Sequence, residues 1–171
     1  GYFGKIVDDI IMRIADVIFA FPFVLLAIAV LTILGSGVSN VVAVLVVSSW
    51  VTYARMVRGE VISARETEYV EAAKAIGLPA RIIIFKHIMP NIINSVIVIA
   101  SFSFASSILS EASLSFLGLG VPASTPTWGG MISLARNYMY EAWWMSVFPG
   151  IAIAITVLGI NILGDWLRDY L

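Results

Sequence analysis

Residues 17–54 read VIFAFPFVLLAIAVLTILGSGVSNVVAVLVVSSWVTYA, and none of these side chains carries a charge. A helix of about 20 residues crosses the hydrocarbon core of a bilayer, so this stretch is too long for one crossing. Residues 35–37, Gly-Ser-Gly, form a natural break within it. The stretch therefore predicts two membrane-spanning helices, Asp16–Leu34 and Val38–Tyr53, joined by a tight turn. Pro22 is expected to kink the first of them.

The composition of the whole chain agrees with a membrane protein. Apolar residue types make up 60% of the 171 residues and charged types only 12%, whereas soluble domains have about 25% charged residues. The mean hydropathy is +0.99. These values disfavour a soluble enzyme, a disordered segment and a nucleic-acid-binding module. Cysteine is absent, which excludes a disulfide framework, a thiol nucleophile and a thiolate metal site from these residues.

Two further uncharged runs, Ile88–Ser110 and Ala142–Gly164, have the length of a membrane span. Glycines and prolines interrupt the uncharged stretch Ala112–Ala135, so we expect a structured outer loop or a partly re-entrant segment there. The predicted fold class is an all-α polytopic membrane bundle with about four transmembrane helices, forming a single domain over residues 1–171. Because the chain opens at Gly1 without an initiator Met, we interpret it as a fragment of a transmembrane domain.

Basic residues predict the orientation of the chain. Six of the ten Lys and Arg residues lie between the second and third predicted spans, and three more are assigned to the same side. Only Arg136 falls on the opposite side. By the positive-inside rule, the loop at about residues 55–90 and the C-terminus face the cytoplasm of a cell whose inner membrane holds the protein.

The loop between the second and third spans is patterned as helices. Glu68–Ile76 is predicted to form a short helix, capped by Gly77 in a left-handed conformation. Pro79 can start a second short helix, and Pro79 and Pro90 are expected to break the helix on either side of the apolar residues 82–85. An apolar run of this kind is unfavourable in water, so we expect lipid or protein to cover it. Either the helix lies on the membrane surface, or the loop is a docking site for a cytosolic partner.

The residues of this loop resemble a known motif. Residues 71–77, EAAKAIG, followed by IMP at 88–90, are similar to the EAA loop of permease subunits in ABC importers. The family pattern is Glu-Ala-Ala, three residues, Gly, nine residues, Ile, one residue and Leu-Pro. His87 stands at the Ile position of this pattern and Met89 at the Leu position.

Other segments resemble the dipeptide, oligopeptide and nickel branch of that family, and the likeness covers nearly all of the chain. They are IMR at 11–13, FP at 21–22, YAR at 53–55, RGE at 58–60, HIMPN at 87–91, EASLSFLGLG at 111–120, PTWG at 126–129 and NILGD at 161–165.

This resemblance implies a permease subunit of an ATP-driven importer for peptides, nickel or another small polar solute. The implied partners are a second permease subunit, two cytosolic ABC ATPase subunits, an extracytoplasmic solute-binding protein and the lipid bilayer, with no nucleic acid. ATP would be bound by the partner subunits, so no cofactor is expected in this chain. Carried over to this sequence, the candidate ATPase-coupling residues are Glu71, Ala72, Ala73, Gly77, Arg81, His87 and Pro90.

Polar groups in the spans provide a second set of candidates. Ala100, Ser103, Ser107 and Ser110 recur at helical spacing in the third span, which places small and hydroxyl side chains on one face. Ser103, Ser107 and Glu111, at the outer end of that span, could line a water-filled pathway for a polar solute. Close helix packing is the alternative for the serines, and an interfacial position is the alternative for Glu111.

Ionisable groups near the first span have a structural interpretation. Asp16 is the innermost acid of that span, and Arg13, one turn earlier, is its expected partner.

Enzyme signatures are missing from the sequence. There is no G-x-x-x-x-G-K-[ST] phosphate loop and no H-E-x-x-H metal motif, and His87 is the only histidine. We therefore predict no catalytic residue and no metal site. Two rival hypotheses remain: a secondary transporter or channel driven by an ion gradient, which gives no reason for a long patterned loop, and a non-transporting membrane scaffold.

Overall fold

The computed structural model describes residues 1–122 and 124–170, and within these ranges every regular element is helical. We label seven α-helices: α1 Lys5–Phe19, α2 Phe23–Leu34, α3 Val38–Arg65, α4 Glu68–Ala75, α5 Ala80–Phe116, α6 Trp128–Ala135 and α7 Trp144–Tyr170. A 3₁₀ turn, Arg136–Tyr138, follows α6.

Three of these helices, α3, α5 and α7, are long and apolar enough to cross a membrane, and the pair α1–α2 could form a fourth, broken span. The all-α polytopic prediction is confirmed. The prediction of one kinked helix over Asp16–Leu34 is wrong, because α1 and α2 meet at an angle of 88°. Pro22 lies outside both helices in an extended conformation, where its fixed φ and missing N–H favour the start of α2.

The second and third spans are longer than their uncharged runs. α3 continues past Tyr53 to Arg65, and α5 begins at Ala80 rather than at Ile88. Only residues 66–79 separate the two, and α4 occupies most of them. The connection at 55–90 is therefore a short helix held between two helical extensions.

Pro90 does not break the helix, contrary to the prediction. The turns before it, Ile83–Ile88, are π-helical, and the cap at Met89 donates its N–H to the carbonyl of Ile84, five residues earlier. A proline lacks the N–H of a regular helix, and its ring crowds the carbonyl four residues back. The wider π turn accommodates this defect, so α5 runs on to Phe116.

α5 is the central helix and packs against α3, α6 and α7. α7 approaches closely at Gly164, where a Cβ atom would lie 3.0 Å from Cβ of Ser101. α6 approaches still more closely at Gly129, where a Cβ would lie 2.5 Å from Cα of Ala112. The segment expected to be a structured outer loop thus folds back through α6 onto the end of α5.

Two ion pairs join α1 to α3. Asp8 accepts from Arg58 at 2.7 Å, and Asp16 accepts from Arg55 at 2.8 Å. The prediction that Asp16 pairs with Arg13 is therefore wrong. Arg55 also lies over the ring of Phe19, 4.3 Å from its centroid. The side chains of Asp16 and Arg55 are 64% and 40% exposed, so their pairing aligns the helices and contributes little stability.

Candidate coupling surface and pathway cavities

α4 is a short helix with acidic residues in its first turn and a glycine cap at its C-terminus. Glu68 and Glu71 lie in its first turn, where carboxylates are favoured by the helix dipole. At its C-terminus Gly77 has φ +81°, which confirms the predicted left-handed cap. The N–H of Gly77 donates to the carbonyl of Lys74 (3.0 Å), and that of Leu78 to Ala73 (3.2 Å). This bonding is a Schellman motif, which favours glycine at its left-handed position.

One face of α4 is buried against the spans. Its side chains join a cluster that we call the coupling core, whose buried members are Ala64, Val70, Ala73, Ile83, Ile88 and Ile92. Helices α3, α4 and α5 all contribute to it. Ala73 is only 4% exposed, so its side chain faces this core rather than the outside.

Two polar side chains reinforce the coupling core through three hydrogen bonds. Nζ of Lys74 donates to the carbonyl of Arg65 at the end of α3 (3.1 Å). Nδ2 of Asn91 on α5 donates to the hydroxyl of Tyr69 on α4 (3.1 Å) and to the carbonyl of His87 (2.6 Å). The sequence motif gave no indication of Tyr69 or Asn91. Helix α4 is thus attached to both neighbouring spans by side chains as well as by the chain.

The opposite face of α4 is exposed. We call it the coupling surface and define it by Glu71, Ala72, Ile76 and Gly77, all of them exposed. Ile76 is 75% exposed, so a large apolar side chain is open to contact at the C-terminal end of α4. An alanine and a glycine beside it allow another surface to approach the backbone closely.

The other three candidate coupling residues belong to α5. Arg81 lies in its first turn and is exposed, His87 is half-buried, and Pro90 is exposed. The structure thus brings Glu71, Ala72 and Gly77 together on one surface and buries Ala73 beneath it. It places the other three candidates along a spanning helix.

A cavity of about 530 Å³ lies between α3 and α5. We call it the hydroxyl cavity, because seven hydroxyl side chains line it: Ser48, Ser49 and Thr52 from α3, and Ser103, Ser106, Ser107 and Ser110 from α5. Ser103 and Ser107 are the predicted pathway residues. The hydroxyls of α3 were not singled out in the sequence, although Ser48 and Thr52 are one helical turn apart.

A second cavity, of about 490 Å³, lies near the C-terminal end of α5, and we call it the outer cavity after the side of the membrane that the sequence predicts for this end. Its lining residues are Phe104, Ser107, Ile108, Glu111, Pro126, Thr127, Trp128 and Met131. Ser107 lines both cavities, so the two lie side by side along α5. Ala100, the remaining member of the small-residue series, lines neither.

Glu111 is half-buried at this cavity. Its Oε1 accepts a hydrogen bond from Oγ of Ser115, one turn later, at 2.6 Å. Thr127 caps the facing helix by accepting from the N–H of Gly130 at 3.0 Å, which fixes Trp128 at the start of α6. Within residues 1–122 and 124–170, no group of three or more His, Cys, Asp or Glu side chains could hold a metal ion.

These features define a polytopic helical membrane protein with a short attached helix at one end of its bundle and two cavities along its spans, one of them lined by seven hydroxyl side chains. The chain belongs to the family of binding-protein-dependent transport system inner membrane components, which it matches over residues 1–171.

Curated relatives are similar along the chain. A glutathione transport system permease protein from Pectobacterium atrosepticum is 46% identical over 171 residues, covering 100% of this chain and 57% of the relative. A dipeptide transport system permease protein from Alkalihalophilus pseudofirmus is 45% identical, covering 100% of this chain and 56% of the relative. A glutathione transport system permease protein from Salmonella typhimurium is 46% identical over 96% of this chain and 54% of its own length. The chain therefore spans a little over half the length of these relatives.

Proposed function

We propose that this chain is the core of a permease subunit in an ATP-driven importer of peptides, and that α4 receives the movement of a cytosolic ATPase. The observation that carries the proposal is that one pair of helices serves both sites. The helices α3 and α5 hold α4 through the coupling core, and the same two helices line the hydroxyl cavity.

This arrangement links docking to the pathway mechanically. Protein interiors are close-packed, so a displacement of α4 cannot be absorbed within the coupling core and is transmitted to the helices around it. A partner that pushes or pulls the coupling surface would therefore change the separation of α3 and α5. Alternating access requires the hydroxyl cavity to widen at one end while it narrows at the other.

The chemistry of the hydroxyl cavity suits a peptide in transit. The hydroxyls of Ser48, Ser49 and Ser107 donate to carbonyls of their own helices. Their oxygens keep lone pairs that can accept from a peptide N–H in place of water. No charged side chain is among the residues that line this cavity. The cavity can therefore solvate a peptide without holding it tightly. The names of the relatives, which refer to glutathione and to dipeptides, support this solute class.

Other chains supply the remaining parts of the transporter. The distribution of Lys and Arg supports a cytoplasmic position for α4 and the C-terminus. Two ATPase subunits would bind ATP and the coupling surface, a second permease subunit would complete the pathway, and a solute-binding protein would deliver the solute from outside. In this proposal the chain itself binds no cofactor and performs no catalysis.

The rival functions explain fewer features. A transporter driven by an ion gradient has no use for an exposed helix anchored on two spans. A scaffold could use that helix but has no use for a hydroxyl-lined cavity between the same spans. Both features follow from one function in an importer.

Gly77→Asp is expected to reduce co-purification of the ATPase subunits with the full-length permease about tenfold. A residue with a Cβ at φ +81° costs about 1–2 kcal/mol, which distorts the end of α4 and places a charge on the coupling surface. Pull-down of tagged permease followed by quantification of bound ATPase measures this loss.

Gly118→Asp is the matched control. Gly118 has φ +78° and ends α5 with the same pair of hydrogen bonds, but at the other end of the bundle. This variant should incur the same backbone cost and keep the ATPase bound. Equal ATPase binding by wild type and Gly77→Asp would contradict the docking role of α4.

A further inference from the structure

We propose that Glu111 binds the protonated amino group of the solute in the outer cavity. This inference rests on the proposed import of peptides and adds a specific contact to it. Glu111 is the only ionisable residue among the eight that line the cavity, and the rings of Phe104 and Trp128 line it as well. A carboxylate beside aromatic faces is the combination that recognises an ammonium group.

The carboxylate is available for such a contact. The ion pairs of the described residues involve Asp8 and Asp16, at the other end of the bundle, and none involves Glu111. Its hydrogen bond from Ser115 engages Oε1 and orients the group without neutralising it. An ammonium group of the solute would therefore meet a carboxylate that has no ion-pair partner among the described residues.

The position of Glu111 gives the contact a role in the transport cycle. Ser107 lies one turn before Glu111 and lines both cavities. A peptide held by its amino group at Glu111 could reach the hydroxyl cavity with the rest of its backbone. The acid would thus select and orient the solute before the uncharged hydroxyls receive it.

The test compares uptake by wild type and Glu111→Gln in proteoliposomes that contain the full-length permease, its partner permease, the ATPases and the binding protein. The probes are alanyl-alanine at external pH 6 and pH 9, whose amino group changes charge between them, and glutathione at pH 6 only. An α-amino group has a pKa of about 7.7–8.0, so it is protonated at the lower pH and largely neutral at the higher one. Both variants receive solute from the same binding protein, so the ratio of their uptake rates reports the effect of the permease alone.

At pH 6 we expect Glu111→Gln to take up solute about tenfold more slowly than wild type, as the loss of a charge-assisted hydrogen bond predicts. At pH 9 the deficit should fall below about twofold, since a neutral amine gains little from a carboxylate. Glu111→Asp, which keeps the charge, should recover most of the uptake at pH 6. Glu141→Gln removes an exposed acid that does not line the cavity and should match wild type at both pH values.

The outcomes separate this inference from the proposed function. ATP-dependent uptake that is equal in wild type and Glu111→Gln at both pH values would overturn the amine contact and leave the importer intact. A deficit that is the same at pH 6 and pH 9 would also overturn it, because the defect would not depend on the charge of the solute. Absence of ATP-dependent uptake of either probe by wild type would overturn the proposed function itself.

Discussion

Replacing Ala72 with Trp is expected to lower ATP-dependent uptake by about 30-fold or more, the effect of losing about 2 kcal/mol at an interface hot spot. Ala72 is exposed on the coupling surface, next to the buried Ala73. An indole there would hold a docked ATPase away from the backbone of α4. The permease should fold normally, because the new side chain points away from the coupling core. Uptake into proteoliposomes and thermal unfolding of the purified permease measure the two parts of this prediction.

The control places the same bulky side chain at the other end of the bundle. Ser124 is a small residue that is also exposed, and it lies in the segment before α6, where no ATPase can reach it in the proposed orientation. Ser124→Trp should leave ATPase coupling unchanged. Uptake by Ala72→Trp within about twofold of wild type, where a hot spot should cost far more, would show that α4 is not the docking element.

Gly129→Ala is expected to destabilise the outer part of the bundle by about 2–3 kcal/mol, as overpacking does. The added Cβ would lie 2.5 Å from Cα and 2.6 Å from the carbonyl oxygen of Ala112. Backbone atoms cannot rotate away, so α6 would have to move off α5. The midpoint of thermal unfolding in detergent should fall by about 5–10 °C.

Gly159→Ala provides the comparison for that variant. Gly159 lies inside α7, and a Cβ there would meet no atom within 4 Å. Because alanine is the better helix former, this change should leave the midpoint unchanged or raise it slightly. A Gly129→Ala protein that unfolds at the wild-type temperature would contradict the close contact between α5 and α6.

Three of the four predicted spans are long helices that could be recognised from the sequence, but the 88° bend in the first span and the ends of the others could not. Charged side chains are excluded from hydrocarbon, so uncharged runs mark the parts of helices that lie in the membrane. A helix does not have to end where the hydrocarbon ends. α3 continues through Arg55 and Arg58 to Arg65, since beyond the hydrocarbon these charged side chains are compatible with a helix.

For α4, too, the features that depend on local sequence could be predicted, and those that depend on packing between helices could not. The motif located α4, and Gly77 predicted its C-terminal cap, because both depend on local sequence. Which face of α4 is buried depends on Ile83 and Ile88 of α5, so the motif could not separate Ala73 from Ala72. Asp16 and Arg55 are 39 residues apart in the chain, and such a pairing has no local signal.

Cross-linking of the coupling surface to the ATPase tests the central claim most directly. The 171 residues contain no cysteine, so Ala72→Cys can be introduced into the full-length permease after any cysteine elsewhere has been replaced, with single cysteines placed across the surface of the ATPase. We predict an oxidative cross-link between Ala72→Cys and the ATPase in the assembled transporter, and none from Ser124→Cys. Labelling of Ala72→Cys by a membrane-impermeant maleimide from outside intact cells, or failure to cross-link to any ATPase position, would contradict the account.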